Sequence, residues 1–237
     1  MVVAVNEDVG RQICYLGKYE ASETAFMAQA LRPSDVCFDI GANVGYYTLL
    51  MARVATEGRV HAFEPDALSH GLLNVNVALN RFRNVVLNGV AVGREPGVST
   101  FVVADDRAFS SFRDTGRRAV SEVTSVPVTS IDEYVARHKI PRVDVVKVDV
   151  EGAEGTVLDG ARCLLEDVSR RPRLFMLELY SPNHRMFGDS IDGIVGRLRR
   201  SGYEPFVIEN GRRRPFGTEH HDRYVNVFFA PSGGAVV

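Results

Sequence analysis

Two acids set at the ends of two apolar runs carry the first chemical signal in this chain. Val36-Cys37-Phe38 leads into Asp39-Ile40-Gly41-Ala42-Asn43-Val44-Gly45, and Arg59-Val60-His61-Ala62-Phe63 leads into Glu64-Pro65. A strand, an acid, a glycine turn and a helix, with a second acid ending the next strand, is how an α/β sheet holds an adenosine cofactor. Glycines let the backbone approach a ligand, and the following helix start offers unpaired N–H groups. The second acid, Glu64, can accept from both ribose hydroxyls. A dinucleotide site requires G-x-G-x-x-G; the spacing here is G-x-x-x-G, with no third glycine. Asp39 would also aim a carboxylate where a pyrophosphate should sit. That charge suits an ammonium and a sulfonium, so the cofactor expected is S-adenosylmethionine, with S-adenosylhomocysteine as product. The bland alternative is a glycine turn in a nucleotide-free α/β protein.

Methyl transfer from a sulfonium is an in-line displacement, so an acceptor oxygen must be held about 3 Å from the methyl carbon. An alcohol must also lose its proton as the bond forms. Asp149, Glu151 and Glu154 follow the apolar run 143–148, and Glu178 lies near the end of the run 174–179. The carboxyl ends of strands face the ligand crevice in such sheets, which makes Asp149 and Glu178 candidates for the chemistry. Helix capping is the rival role for Glu151 and Glu154. Clustered carboxylates can bind Mg²⁺, but the spacing offers no further ligand, and no metal is assigned. Lys147, inside an apolar strand, reads as a structural ion-pair partner. Among the histidines, His184 in Ser181-Pro182-Asn183-His184-Arg185 follows Glu178 in a loop over the crevice and is the candidate base or substrate ligand. His61 reads as a satisfied core residue, His70 and His138 as exposed, and His220-His221 as a polar loop tip. Of Tyr46 and Tyr47, one is expected in the core and one at the pocket.

At 237 residues, with 45% apolar and 24% charged residues, the chain can build one sizeable α/β domain. A net charge of −2 gives no overall field toward nucleic acid or an anionic membrane. The arginine runs at Arg117-Arg118, Arg170-Arg171, 197–200 and 212–214 read as solvated faces. Cys14, Cys37 and Cys163 have no metal-type spacing; Cys37 and Cys163 read as small core residues in a reducing compartment. No secretory leader or membrane span is expected, which makes the expected location cytoplasmic.

The elements that must position these residues follow from periodicity. Residues 12–16 read as a strand and 20–31 as an amphipathic helix, together an N-terminal extension (1–34) packed on the core. Strands at 36–40, 60–63 and 85–92 alternate with helices at 46–55 and 67–80, which argues a doubly wound, mostly parallel sheet. Residues 98–103 and 123–129 alternate with period two, as antiparallel strands do, around a long polar loop at 105–118 that suggests binding. A helix at 131–138, a strand at 143–148, a helix at 154–166, a strand at 174–179 and a helix at 191–201 follow. Strands at 203–208 and 224–229 can close the sheet as an antiparallel hairpin. The catalytic domain is expected over 35–230, with a disordered tail at 231–237.

The chain resembles the FkbM-type family of S-adenosylmethionine-dependent methyltransferases over nearly its whole length, residues 17–229. The marks are Lys18-Tyr19-Glu20 with Glu23-Thr24, Asp39 to Thr48, Phe63-Glu64-Pro65, Asn88 to Gly93, Ser130-Ile131-Asp132-Glu133-Tyr134 and, most specific, Val146-Lys147-Val148-Asp149-Val150-Glu151-Gly152-Ala153-Glu154. The resemblance implies a class I, Rossmann-like methyltransferase fold and O-methylation of hydroxyls on sugars, polyketides or related metabolites. It implies that Asp39, Gly41, Ala42, Asn43 and Gly45 line the methionine part of the cofactor and that Glu64 with Pro65 holds the ribose. Asn88 and Val90 would lie near the adenine, with Ser111, Asp149 and Glu151 also at the cofactor. The expected acceptor is a small molecule or glycan. N-methylation, a non-catalytic binding protein on this fold and a nucleotide-dependent oxidoreductase are the rival readings. The missing third glycine and the closing hairpin argue against the last.

Overall fold

The computed structural model describes residues 1–233. Helices α1 (Asp8–Leu16) and α2 (Ala21–Ala30) precede β1 (Val36–Ile40), α3 (Tyr46–Val54), β2 (Arg59–Phe63), α4 (Ala67–Leu79) and β3 (Val85–Asn88). Then come β4 (Ala91–Val92), β5 (Gly97–Ala104), β6 (Val120–Thr129), α5 (Ile131–Arg137), β7 (Val145–Val148), α6 (Glu154–Asp159) and α7 (Arg162–Glu166). The last part is β8 (Leu174–Leu179), α8 (Ser181–Met186), α9 (Ile191–Arg200), β9 (Tyr203–Glu209), β10 (Arg212–Pro215) and β11 (Val225–Pro231).

The main sheet has the order β10-β9-β11-β8-β7-β1-β2-β3. β8, β7, β1, β2 and β3 pair in parallel, and β11 is antiparallel to both β8 and β9. This is the mostly parallel α/β sheet with antiparallel closure that the sequence predicts. Both faces are buried, so these strands read as near-continuous apolar runs. Alternation divides them. Phe38, Ile40, Val146, Phe175 and Phe229 pack with α5, α7 and α9, whereas Cys37, Val60, Val145, Met176 and Phe228 pack with Met27 of α2 and Met51 of α3.

Several local expectations are corrected. Residues 12–16 are the end of helix α1, closed by Gly17 at φ 69°, whose N–H donates to Ile13 O, the left-handed stop typical of helix ends. The strand expected at 85–92 is split. β3 stays in the main sheet, while β4 joins β6 and β5 in a separate three-stranded sheet, because the Asn88 amide folds back on Ala62 O and accepts from Tyr134 Oη. The helix expected at 154–166 breaks at Gly160-Ala161. Residues 181–185, expected as loop, form helix α8 with Pro182 in its first turn, where the missing N–H costs nothing. β10 forms a tight hairpin with β9 that was not anticipated. Cys163 is exposed, not core. At the far end Pro231 completes β11, and Ser232 N donates to Gly202 O at 3.0 Å, so order extends past the boundary expected at 231. Residues 234–237 of the expected tail lie outside the described residues. Among the described residues no helix is long and apolar enough to cross a membrane.

Candidate active site

A cavity of about 360 Å³ opens at the carboxyl ends of β1, β2, β7 and β8. Its floor is the turn after β1. Gly41 N and Ala42 N both donate to Phe63 O at 3.0 Å, which ties the turn to β2. Gly41 sits at φ 76°, and a Cβ there would lie 1.8 Å from Asp149 O; only glycine combines that φ with that approach. We predict that Gly41→Ala lowers the unfolding free energy by about 2 kcal/mol or more, read from the urea midpoint; an unchanged midpoint would contradict this packing.

Glu64 forms the next wall. Its two carboxylate oxygens each accept one backbone N–H, from Asn43 and from Asp66, both at 2.8 Å. The side chain is buried but borders the cavity, and burial pushes its pKa up to about 7. Each oxygen keeps lone-pair capacity after these bonds, so the group is oriented and still able to accept from a ligand. Nearby Asn43, itself left-handed at φ 48°, holds a buried Oδ1 with no partner among the described residues.

Lys147 ties the floor together. Burial disfavours its charge, but the Asp149 and Asp39 carboxylates outweigh this and raise its pKa. Its Nζ lies 3.1 Å from Gly41 O, 3.1 Å from Asp149 Oδ2 and 3.7 Å from Asp39 Oδ1. Strand alternation puts Asp39 on the Cys37 face, where it is fully buried and accepts from Thr48 Oγ1 at 2.5 Å. Asp39 therefore does not aim into the cavity, contrary to expectation; it acts from beneath, through Lys147.

Beyond Lys147 the wall is acidic. Asp149, Glu151 and Glu178 bring carboxylate oxygens within 4.8 Å of one another. Sequence spacing showed only the first two as neighbours, because the third arrives from the adjacent strand. Glu151, at φ 55°, pairs with Arg117 and accepts from Asn183 Nδ2 at 2.9 Å; burial and then Asp149 push its pKa up to about 8. Burial, followed by Asp149, Glu151 and Glu20, lifts Glu178 well above the usual carboxylate range. Among the described residues no hydrogen bond or cation steadies Glu178. Glu154 is turned away from the cavity and accepts from Val150 N and Gly152 N of the preceding turn, so it braces that turn and does not cap helix α6, whose start has no side-chain cap.

The raised Glu64 and Glu151 carboxyls make a pH prediction. The folded state binds more protons than the unfolded one between the ordinary carboxylate pKa and about 7 for Glu64 or about 8 for Glu151, so stability falls as pH rises through that window. The thermal midpoint of the ligand-free protein should drop between pH 5 and pH 8, and the double variant Glu64→Gln/Glu151→Gln should flatten the drop. An equally steep profile in the variant would contradict these shifts.

The roof comes from two segments. Asp8, Val9 and Gln12 of α1 reach the cavity, as does the loop 105–118 through Phe109, Ser111 and Arg117. Ser111 Oγ donates to Val150 O at 3.0 Å. Arg107 bonds Asp66 Oδ1 at 2.6 Å, and Arg11 bonds Asp106 Oδ2 at 3.3 Å.

Of the residues singled out in the sequence, Gly41, Ala42, Asn43, Glu64, Pro65, Val90, Ser111, Asp149, Glu151 and Glu178 border one cavity. Four do not. Asp39 lies beneath the floor. Gly45 is a turn glycine at φ 96°, packed on Leu73. Asn88 is consumed by the contacts that end β3. His184 is fully buried in α8; Nε2 accepts from Tyr180 N at 3.2 Å, and Nδ1 faces Gly152 O and Glu154 Oε2, both at 3.3 Å. Both ring nitrogens are engaged away from the cavity, so His184 is withdrawn as base. His220 is likewise buried, stacked on Phe216, and is no polar loop tip. His61 is the core residue expected, 2.9 Å from Tyr134 Oη. Both Tyr46 and Tyr47 reach the cavity, with Tyr47 Oη donating to Glu20 Oε2 at 2.5 Å. The sequence reading missed Glu20, Arg117 and Tyr224. Lys18-Tyr19-Glu20 was a visible motif for the first. Arg117 had no signal beyond a loop arginine beside Arg118.

The Methyltransferase FkbM domain family matches residues 39–205 of this chain. The AMB antimetabolite synthetase AmbE of Pseudomonas aeruginosa is 28% identical over 231 residues, covering 82% of this chain and 10% of that protein; the chain thus spans about a tenth of that relative's length. The 31-O-demethyl-FK506 methyltransferase FkbM of Streptomyces tacrolimicus is 28% identical over 220 residues, covering 81% of this chain and 80% of that one. In fold, the chain is similar to the crystal structure of methyltransferase FkbM from Methylobacillus flagellatus, with a TM-score of 0.55, 17% identity, and coverage of 84% of this chain and 44% of that one.

Proposed function

The chain belongs to the FkbM methyltransferase family, and from that premise we propose that it is an S-adenosylmethionine-dependent O-methyltransferase acting on a hydroxyl of a small molecule or sugar, of the kind found in natural-product biosynthesis. The observation that carries this reading is one cavity holding both an oriented acidic hydrogen-bond acceptor, Glu64, and an unpartnered carboxylate, Glu178. The residues fit the cofactor. The unpartnered Asn43 Oδ1 and the Gly41 approach leave polar, close-set backbone at the floor. Glu64 presents lone pairs suited to a vicinal diol.

When bound, the cofactor supplies an electrophilic methyl group. Glu64 and Pro65 then hold the ribose side, with Ala42, Asn43 and the Gly41 turn along the methionine side. Val90 and Ser111 border the adenine side, and Asp149 and Glu151 complete the cofactor wall. Lys147 Nζ, donating to Asp149 Oδ2 at 3.1 Å, fixes the direction of that carboxylate. Glu178 takes the proton from the acceptor hydroxyl. A raised pKa makes it a stronger base than an ordinary carboxylate once ionised, which is what an alcohol demands. The roof excludes water from the transfer. The relative from Streptomyces is named as a 31-O-demethyl-FK506 methyltransferase, which supports an oxygen acceptor.

The test is methyl transfer from labelled S-adenosylmethionine to size-matched alcohols and amines, each with EDTA and with Mg²⁺. Labelled ether supports the reading. Labelled amine without ether would move the chain to N-methylation, and activity confined to the Mg²⁺ arm would assign the carboxylate wall to a metal.

A further inference from the structure

Phe109, Arg117, Tyr224 and Tyr180 form one continuous stack. The Arg117 guanidinium carbon lies 4.0 Å from the ring centroid of Phe109 and 4.0 Å from that of Tyr224. Tyr224 in turn stacks on Tyr180, with centroids 3.7 Å apart and planes 26° from parallel. The same guanidinium pairs with Glu151. Four separate parts of the chain meet in this stack: the roof loop 105–118, the turn after β7, the residue following β8 and the residue preceding β11. Arginine is suited to this junction, because its flat faces stack on rings while its edge bonds a carboxylate.

The arrangement divides the rim of the cavity. On the α1 side the roof is held by Arg107 to Asp66 and Arg11 to Asp106. On the β11 side Arg117 on Glu151 is the tie that faces the cavity, with Ser111 Oγ on Val150 O beside it and Arg113 Nη1 on Met186 O, at 2.8 Å, outside it. Tyr224, Glu20 and Glu178 border both the cavity and an adjoining groove of about 310 Å³. An acceptor therefore has a route to Glu178 that does not pass under the roof. A cofactor held in the part of the cavity lined by Phe109 and Ser111 would not.

We propose that Arg117 is a clasp: a positioning residue that holds loop 105–118 closed over the cofactor and sets the rate at which the cofactor product leaves. The proposal rests on the reading that the cavity holds that cofactor. The flat guanidinium is what makes the clasp, so a lysine that could still reach Glu151 would not replace it.

Two readouts test it on the full chain: stopped-flow release of S-adenosylhomocysteine, and tryptic cleavage after Arg113 in the ligand-free protein, mapped by mass spectrometry. Arg117→Ala should release the product about tenfold faster or more and be cut after Arg113 faster, with cleavage outside loop 105–118 unchanged well below its thermal midpoint. Arg117→Lys should behave like Arg117→Ala. Wild-type rates of release and cleavage in Arg117→Ala, or full rescue by Arg117→Lys, would overturn the clasp. If Arg117→Ala does not fold, Tyr224→Ala removes one layer of the stack and must show the same two changes. If the wild-type protein binds no S-adenosylhomocysteine, the cofactor reading fails, and the cleavage comparison alone decides whether Arg117 holds the loop.

Discussion

Glu178→Gln is expected to cut methyl transfer by about 10²–10⁴-fold while leaving affinity for S-adenosylhomocysteine close to unchanged. The substitution keeps the shape of the side chain and removes only its ability to take a proton. Glu178 suits the base role because no cation among the described residues pairs with it: burial and the neighbouring Asp149, Glu151 and Glu20 carboxylates raise its pKa, whereas Glu151 is held by Arg117 and Asp149 by Lys147. The sign of the pH dependence follows. The base works ionised, so turnover should fall as pH drops through a pKa above the ordinary carboxylate range, and that acid limb should vanish in Glu178→Gln. Turnover near the wild-type rate in the variant would move the base elsewhere in the cavity.

Glu64→Ala is expected to weaken S-adenosylhomocysteine binding by well over tenfold, about 1.4 kcal/mol or more. Two losses combine. The ribose loses its acidic acceptor, and Asn43 N and Asp66 N lose the carboxylate that orients both ends of the pocket wall. Glu64→Gln separates them, since the amide keeps one acceptor oxygen while its NH₂ cannot accept; its affinity should fall between those of the wild type and Glu64→Ala. Equal affinity in all three proteins would show that the ribose lies elsewhere.

The parts of the site that were legible in the sequence are those fixed by strand ends. Glu64, Asp149 and Glu178 follow from the rule that ligands sit at the carboxyl ends of parallel strands, and Gly41 from the turn that such a site requires. What the sequence hid depends on contacts between distant segments. Asp39 was assigned to the cavity because its place in the motif is visible, but which face of a doubly buried strand it takes is decided by α3 and Thr48. In sequence His184 stands out as a base because imidazole chemistry suits that task. Residues 181–186 form a helix instead, and that helix turns the ring onto Gly152 and Glu154. The Ser181-Pro182 start was the available signal. Arg117 stood among scattered arginines with no periodicity, and only the meeting of the roof loop with Tyr224 gives it a place. Helix α1 was hidden for a related reason: its short apolar stretch also fits a strand, and a left-handed helix stop such as Gly17 looks in sequence like any turn glycine.

Cofactor recognition at Glu64 is the claim on which the rest depends, and calorimetric titration with S-adenosylhomocysteine in EDTA tests it most directly. The account predicts a Kd in the micromolar range for the wild-type protein, one site per chain, and loss of most of that affinity in Glu64→Ala. No binding by the wild-type protein, or binding that Glu64→Ala leaves intact, would contradict it.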